Sequence, residues 1–459
     1  MENFWDFSSW GFFNLIAVLL VSLLAGNMLK RSVPMLQASL IPTSVLGGGI
    51  LLVISSVYHI VTGDEMFNTA FFGGNGAAWL ELLTYHMLAL GFTASALKSS
   101  SSKLSKKRTI EIFNTGLTTV GTYLLQAFAG LIVCIIAAFL VPDILEAAGL
   151  LLALGYGQGT GQAMNYGSIY ELEYGFVGGK SFGLTIAAMG FLCASIGGII
   201  HLNILKRKGK ISFNKGNGFT SEPVEGQNEI PMQESIDKFT IQIALVMAAY
   251  LLAYFMMSGL SALFPGMRTT IFGFNFLLGV LSGTLLKTVM DFLNRKNIIH
   301  RNYKNNFLLT RASNLFYDIM VTAGIAAIRV SIVGKYWGLL LALGVAGLVV
   351  TYAYVHFVCK KLFPEYAEQQ FLAMYGMLTG TASTGIILLR EIDGDFKTPV
   401  ADNLVYQQFP AMIFGFPILL LATMAPTQPY LTLGIVAAFA VLINLLLFRS
   451  VIFGKRRRR

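Results

Sequence analysis

The chain has 459 residues, of which 55% are hydrophobic and only 12% are charged, and its mean hydropathy is +0.66. Soluble globular proteins carry about 25% charged residues, so this composition excludes a soluble enzyme, a nucleic-acid-binding protein and a disordered chain as descriptions of the whole. The net charge of +10 does not indicate a nucleic-acid partner, because the basic residues lie in short stretches between apolar runs. That distribution is typical of the loops that orient membrane proteins. The sequence therefore predicts a polytopic protein embedded in a lipid bilayer.

Eleven apolar runs have the length of about 20 residues that a membrane helix requires. The first run follows acidic Glu2 and Asp6 and precedes Lys30-Arg31, the reverse of a cleavable signal peptide, so it is expected to be a membrane helix. The three cysteines are odd in number and lack paired spacing, which favours neither a disulfide framework nor a metal site. The predicted spans are 11–29, 44–62, 77–97, 112–141, 182–204, 239–263, 270–290, 306–330, 336–359, 404–425 and 430–453.

Two further apolar stretches, 147–170 and 371–392, are interrupted by runs of glycine and hydroxyl residues. Basic loops at 98–110 and 205–238 are expected on the same, cytoplasmic side, and only two full crossings fit between them. The first stretch is therefore predicted to enter and leave from outside, as a re-entrant hairpin. The same counting after basic 360–361 predicts that the second stretch is a re-entrant hairpin open to the cytoplasm. The N-terminus is then outside and the C-terminus cytoplasmic.

The polar segment 206–238 separates two halves of similar layout, each with four helices, a hairpin and a fifth helix. An odd number of crossings gives the halves opposite orientations. The predicted fold is an all-α polytopic membrane protein with two inverted five-helix repeats, each with a re-entrant glycine-rich hairpin, plus one extra C-terminal helix. The predicted units are a first repeat at 1–205, a cytoplasmic linker at 206–238, a second repeat at 239–425, and an additional helix with a basic tail at 426–459.

The two glycine runs occupy matching places, since Gly155, Gly159 and Thr160 correspond to Gly376, Gly380 and Thr381. Inverted repeats with broken helices are frequent in secondary transporters, which bind substrate and ions where backbone groups line a cavity. The alternative is that the glycines only let helices pack closely. The candidate substrate-binding residues are Gln158, Gly159, Thr160, Gly161, Gln162, Gly380, Thr381, Ala382, Ser383, Thr384 and Arg329, and the candidate sodium ligands are Asn165, Thr379 and Asp318.

Two charged candidates lie in the predicted span 306–330. A carboxylate in mid-span, such as that of Asp318, is costly and usually functional, so Asp318 could coordinate Na⁺ or carry a proton, or could be a structural partner of a neighbouring helix. Arg329, near the outer end, could attract an anionic substrate or could extend to the membrane interface. No catalytic residue, metal centre or organic cofactor is expected, with Na⁺ as the coupling ion.

At these residues the sequence resembles the bacterial glutamate:sodium symporter family. The first hairpin of that family typically reads Gly-Gly-His-Gly-Thr-Gly, and the matching segment here is Tyr156-Gly157-Gln158-Gly159-Thr160-Gly161. Ile41-Pro42-Thr43-Ser44-Val45-Leu46-Gly47-Gly48 matches an early Ile-Pro-x-Pro-Val-x-Gly-Gly element, and Tyr174-Gly175-Phe176 matches a Tyr-Gly-Phe that follows the hairpin. The resemblance covers about residues 12–425 in layout. It implies sodium-coupled import of glutamate or a similar small anionic solute through a bacterial cytoplasmic membrane by a homodimer.

Other functions remain possible from the residues alone. Within transport, the alternatives are a carrier for another carboxylate, a proton-coupled carrier or a channel. From another class, the rival is an integral-membrane enzyme such as a lipid-phosphate transferase, which would need carboxylates for Mg²⁺. The nearest such residues are Glu171 and Glu173 after the first hairpin and Glu391, Asp393 and Asp395 after the second, and neither group matches a known metal motif.

Overall fold

The computed structural model describes residues 5, 7–98, 105–140, 143–209, 229, 236–394 and 397–454, and these residues are almost entirely helical. The α-helices in this part of the chain are α1 Phe7–Ser32, α2 Pro34–Ala38, α3 Thr43–Thr62, α4 Gly76–Leu97, α5 Lys106–Ala138, α6 Thr160–Tyr174, α7 Gly179–Arg207, α8 Lys238–Leu263, α9 Arg268–Gly273, α10 Asn275–Arg295, α11 Asn306–Ala326, α12 Val330–Leu362, α13 Ala367–Thr379, α14 Ala382–Arg390, α15 Val400–Tyr406, α16 Gln408–Met424, α17 Pro429–Leu447 and α18 Arg449–Gly454. Short helical turns cover Met66–Asn68, Ala70–Phe72, Glu146–Leu150, Ala153–Gly157, Pro265–Met267 and Pro364–Tyr366.

The described helices confirm a polytopic membrane protein. Nine of them are long and apolar enough to cross a bilayer, and α15 and α16, which meet at 47°, would together form a tenth. The remaining predicted span, 306–330, forms the 21-residue helix α11, which ends at Ala326 and contains Arg311 and Asp318. By length and composition alone, the described helices therefore give nine or ten spans where the sequence predicts eleven.

Both glycine-rich stretches are interrupted helices. The first consists of the turn Glu146–Leu150 and the π-helical turn Ala153–Gly157, a break at Gln158 and Gly159, and then α6. The second consists of α13, a break at Gly380 and Thr381, and α14, which packs back against α13. Gly159 has a φ of +86°, a conformation that glycine reaches without the steric cost that other residues incur.

Contacts between loops define two ends of the molecule. The first, which we call the basic end, contains the contacts Lys107–Glu365, Arg108–Pro399, Arg449–Asn114 and Lys98–Thr310. The opposite end contains Arg329–Glu65, Lys180–Glu81, Lys335–Asp143 and Tyr430–Glu146. Every one of these contacts joins two segments that positive-inside counting assigns to the same side of the membrane.

Each interrupted stretch begins and ends at the same end of the molecule, and the two stretches lie at opposite ends. In the first stretch, Glu146 at its start contacts Tyr430, and Glu171 near its end accepts a hydrogen bond from the backbone N–H of Lys180. Both contacts lie at the end opposite the basic one. In the second stretch, Glu365 just before α13 pairs with Lys107, and the loop after α14 reaches Arg108 through the carbonyl of Pro399. The second stretch therefore starts and finishes at the basic end.

The predicted linker 206–238 is described only at 206–209, at Glu229 and at 236–238. Glu229 forms an isolated bridge with Asn302 and an ion pair with Lys238, with 2.8 Å between the Nζ and Oε2 atoms. The basic tail at 455–459, Pro142 and Asp395 lie outside the described residues, as do Glu2 and Asp6 near the N-terminus.

Candidate functional site

The two helix breaks meet in the interior of the protein. A β-carbon placed on Gly159 would lie 3.9 Å from the carbonyl oxygen of Gly380 and 4.0 Å from Cγ2 of Thr381. The sequence assigns these two breaks to equivalent positions of its two halves, and the structure places them side by side. Gly159 and Gly380 are both buried, so the meeting point is inside the protein.

Three helix ends converge at this point. Helices α6 and α14 begin at the breaks, and α13 ends there. The first N–H groups of a helix and its last C=O groups have no partner within the helix, and they carry partial positive and negative charge respectively. The meeting point therefore offers N–H donors from α6 and α14 next to C=O acceptors from α13. Such a site can hold an anionic group and a cation side by side without a charged side chain.

Two buried polar residues in the first turn of α6, Thr160 and Gln162, have side-chain atoms that pair with no other described residue. Thr160 is fully buried and Gln162 is 1% exposed. The Thr160 hydroxyl and both amide atoms of Gln162 have no hydrogen-bond partner among the described residues. An unsatisfied buried polar group costs about 1–3 kcal/mol. These two side chains are therefore the candidates whose hydrogen-bonding capacity is open to a ligand.

The other candidates on the first stretch either contact neighbouring helices or lie at the break itself. Gly161 lies directly against Leu88 of α4, where an added β-carbon would be 2.8 Å from the leucine side chain. Asn165 donates from Nδ2 to the carbonyl of Gly273, 2.6 Å away, which ties α6 to the end of α9. Its amide oxygen alone could serve as a sodium ligand. Gln158 lies at the break itself and is partly buried.

The candidates on the second stretch lie around the end of α13 and the start of α14. The Thr379 hydroxyl donates to the carbonyl of Tyr375 at 2.6 Å, and its oxygen can still accept a hydrogen bond or coordinate a cation. The hydroxyls of Thr381 and Thr384 are 3.4 Å apart. Thr379 and Thr384 are buried, whereas Ala382 and Ser383 are exposed.

Asp318 and Arg329 have contacts away from the helix breaks. Asp318 is an exposed residue that interacts with the Ser44 hydroxyl at the start of α3. It precedes Gly324, the α11 residue beside Thr160, by six residues, which is about 9 Å along a helix. Arg329 pairs with Glu65, with 3.4 Å between Nε and Oε1, at the end opposite the basic one. The described partners of Asp318 and Arg329 therefore lie away from the point where Gly159 and Gly380 approach each other.

Gln126 of α5 is a site residue that the sequence reasoning did not identify. It is fully buried, and its Nε2 donates to the carbonyl of Leu378 at 2.9 Å and to the Thr351 hydroxyl at 2.8 Å. A β-carbon on Gly157, next to the first break, would lie 3.0 Å from its Oε1. Gln126 therefore connects α5, α12 and the end of α13 beside the first break. The sequence signal that could have identified Gln126 was a polar amide in the middle of the apolar run 112–141.

Helices α12 and α7 support the two stretches. The Tyr156 hydroxyl donates to the carbonyl of Gly344 at 2.7 Å and the Tyr375 hydroxyl to the carbonyl of Cys193 at 2.7 Å. A β-carbon on Gly190 would lie 2.3 Å from the carbonyl oxygen of Thr379. The α7 backbone therefore reaches the last carbonyl of α13 only because Gly190 has no side chain.

Two of the acidic residues considered for an enzyme, Asp393 and Glu171, hold loops in place. Asp393 accepts backbone hydrogen bonds from Lys397 at 2.8 Å and Thr398 at 3.0 Å and a further bond from the Thr398 hydroxyl. Glu171 accepts from the Lys180 N–H at 3.1 Å. These carboxylates have structural partners, as expected for residues that position the loops after each stretch.

No known protein family and no curated protein matches this chain. The interpretation therefore depends on the geometry of the described residues. That geometry combines two interrupted helices, three converging helix ends and unpaired polar groups in the interior of a multi-pass membrane protein.

Proposed function

We propose that the protein is a sodium-coupled secondary active transporter that imports glutamate or a similar small anionic solute across a bacterial cytoplasmic membrane. The observation that carries the proposal is the proximity of the breaks at Gly159 and Gly380, beside the polar groups of Thr160 and Gln162 that have no hydrogen-bond partner among the described residues. Paired broken helices from two inverted halves are the usual framework of substrate and ion sites in such transporters.

The proposed architecture has two inverted five-helix repeats, two re-entrant hairpins and one additional C-terminal helix. It is supported by the placement of both ends of the first stretch opposite the basic end and of both ends of the second stretch at the basic end. The positive-inside rule assigns the basic end to the cytoplasm. The N-terminus is then outside, and the first hairpin opens outward while the second opens inward.

The proposed substrate position follows from the charge of the helix ends. A carboxylate is stabilised by the N–H groups at the start of α6 and α14, and by hydrogen bonds from Thr160 and Gln162. Na⁺ is stabilised by the carbonyl groups that end α13, with the oxygen atoms of Thr379 and Asn165 as further ligands. Adjacent opposite charges strengthen each other's binding reciprocally, which is the coupling that symport requires.

The identity of the substrate and the homodimer follow only from the resemblance to the glutamate:sodium symporter family. The family pattern has histidine where this chain has Gln158. Because of this difference, the proposed substrates are small carboxylates as a class, with glutamate as one member. A proton-coupled carrier is the second candidate within transport, with Asp318 as the group that carries the proton.

Uptake by proteoliposomes tests the proposal. The full chain is reconstituted and supplied with labelled glutamate, aspartate and dicarboxylates under an inward Na⁺ gradient, an inward proton gradient or neither. We expect saturable accumulation that requires the Na⁺ gradient and disappears when an ionophore dissipates it. Accumulation driven only by protons would assign proton coupling instead. Flux that never exceeds equilibrium would indicate a channel, and the absence of flux with Mg²⁺-dependent turnover of a lipid phosphate would indicate an enzyme.

A further inference from the structure

Three side chains from three helices form a cluster near the basic end of the molecule. They are His201 of α7, His356 of α12 and Glu368 of α13, and each offers one ligand atom within 4.8 Å of the other two. These residues take no part in the proposed transport site. Because they are far apart in the sequence, no spacing motif connects them.

The three ligand atoms lie close to the spacing that a metal ion requires. His201 Nε2 lies 3.0 Å from an oxygen of Glu368, and the His201 ring is centred 5.4 Å from that of His356. A tetrahedral Zn²⁺ with ligand distances of about 2.0–2.1 Å places its ligand atoms about 3.3 Å apart. The three ligand atoms therefore need to move by only about an ångström to bind one ion.

The hydrogen bonds around the cluster also fit metal binding. The other ring nitrogen of His201, Nδ1, lies 2.8 Å from the Tyr352 hydroxyl, the kind of second contact that fixes the ring orientation of a metal-binding histidine. His356 Nδ1 is buried and has no hydrogen-bond partner among the described residues. A purely hydrogen-bonded cluster explains the contacts of His201 but leaves this nitrogen unsatisfied.

We propose that His201, His356 and Glu368 form a binding site for one divalent transition-metal ion of the Zn²⁺ class. Two imidazoles and one carboxylate match the ligand set of three-ligand zinc sites, in which water takes the fourth position. A bound ion joins the start of α13 to α7 and α12. The site is independent of the transport function, so either proposal can fail without the other.

Charge indicates which ligand is best replaced. Lys208 and Lys360 interact electrostatically with His356, and their positive charges oppose a cation. The carboxylate of Glu368 offsets them, so Glu368→Gln should weaken metal binding most while preserving the shape of the side chain. His356→Gln removes the nitrogen that has no hydrogen-bond partner among the described residues.

The test is a titration of the purified full chain, stripped with a chelator, with Zn²⁺ in a calorimeter. We expect one Zn²⁺ per chain in the wild type and at least tenfold weaker binding in Glu368→Gln and in His356→Gln. The matched controls are Glu365→Gln and His59→Gln, which remove the same residue types at exposed positions outside the cluster and should bind as the wild type does. Absence of stoichiometric binding, or equal binding by all four variants, would overturn the proposal.

Cobalt absorbance keeps the proposal testable if a variant folds poorly. Co²⁺ bound to the wild type should give a ligand-field spectrum of nitrogen and oxygen coordination without a thiolate charge-transfer band. Cys359, three residues after His356, should be replaceable by Ser without effect. A thiolate band, or loss of Zn²⁺ binding in Cys359→Ser, would assign the metal to another ligand set and contradict the proposal.

Discussion

Replacing Gln162 by methionine should make the protein more stable and a weaker binder of its ligand. Gln162 is 1% exposed, and neither its amide nitrogen nor its amide oxygen has a partner among the described residues. Methionine has the same unbranched length and no polar group that needs a hydrogen bond. Because an unsatisfied buried polar group costs about 1–3 kcal/mol, Gln162→Met should raise the free energy of unfolding by about that amount.

Binding should change in the opposite direction. If the substrate bonds to both amide atoms of Gln162 and each bond contributes about 1 kcal/mol, the loss of about 2 kcal/mol weakens binding about thirtyfold. Unfolding in mixed detergent micelles measures the first quantity, and ligand titration of the same preparation in saturating Na⁺ measures the second.

Gln126→Met is the matched control, because Gln126 is equally buried but makes two hydrogen bonds, to Leu378 and Thr351. Its replacement leaves two acceptors unpaired, and it removes one amide oxygen, Oε1, that has no partner among the described residues. Because the two losses outweigh the one gain, the free energy of unfolding should fall by about 1–3 kcal/mol. If Gln162→Met proves as destabilising as Gln126→Met, Gln162 has a structural partner and the reasoning is refuted. If Gln162→Met is stabilised but binds normally, Gln162 is not a ligand of the substrate.

Three further predictions concern the breaks, the acidic residue of α11 and the topology. Gly159→Ala should abolish uptake because a φ of +86° strains any residue other than glycine, while the added β-carbon meets only ordinary contacts at 3.9–4.0 Å. Gly380→Ala should abolish uptake through close contacts of its β-carbon at 3.0–3.1 Å. Both variants should still insert, and normal uptake in both would show that the breaks are packing elements. Asp318→Asn should raise the Na⁺ concentration for half-maximal uptake if the carboxylate is a ligand, and an unchanged Na⁺ dependence would make it structural. In a chain without native cysteines, Glu173→Cys and Glu391→Cys should be labelled from opposite faces of the membrane, and labelling from one face would refute the inverted repeat.

The sequence by itself determined that this is an all-helical, multi-pass membrane protein. Apolar length is a property of a continuous segment, and a segment in lipid must satisfy its backbone within a helix. The interruptions of the two glycine-rich stretches were also predictable from the sequence. A positive φ, such as that of Gly159, is favourable mainly for glycine. The boundaries of those stretches changed by a few residues, from 147–170 to Glu146–Tyr174 and from 371–392 to Ala367–Arg390.

The sequence could not assign partners to its polar residues. Arg329 was a candidate for the substrate, and the structure pairs it with Glu65. Asn165 is a candidate sodium ligand, and the structure adds that its amide nitrogen ties α6 to Gly273. In each case the residue type indicated a polar role, but the partner comes from a distant segment whose position depends on packing.

Only the tertiary structure decided that the breaks at Gly159 and Gly380 lie side by side, that Gln126 reaches Leu378, and that His201 lies beside Glu368. These contacts join residues on different helices, and they depend on the angles and depths at which the helices pack. Packing depends on the combined shape of many side chains over the whole chain, so no local pattern of residues specifies it.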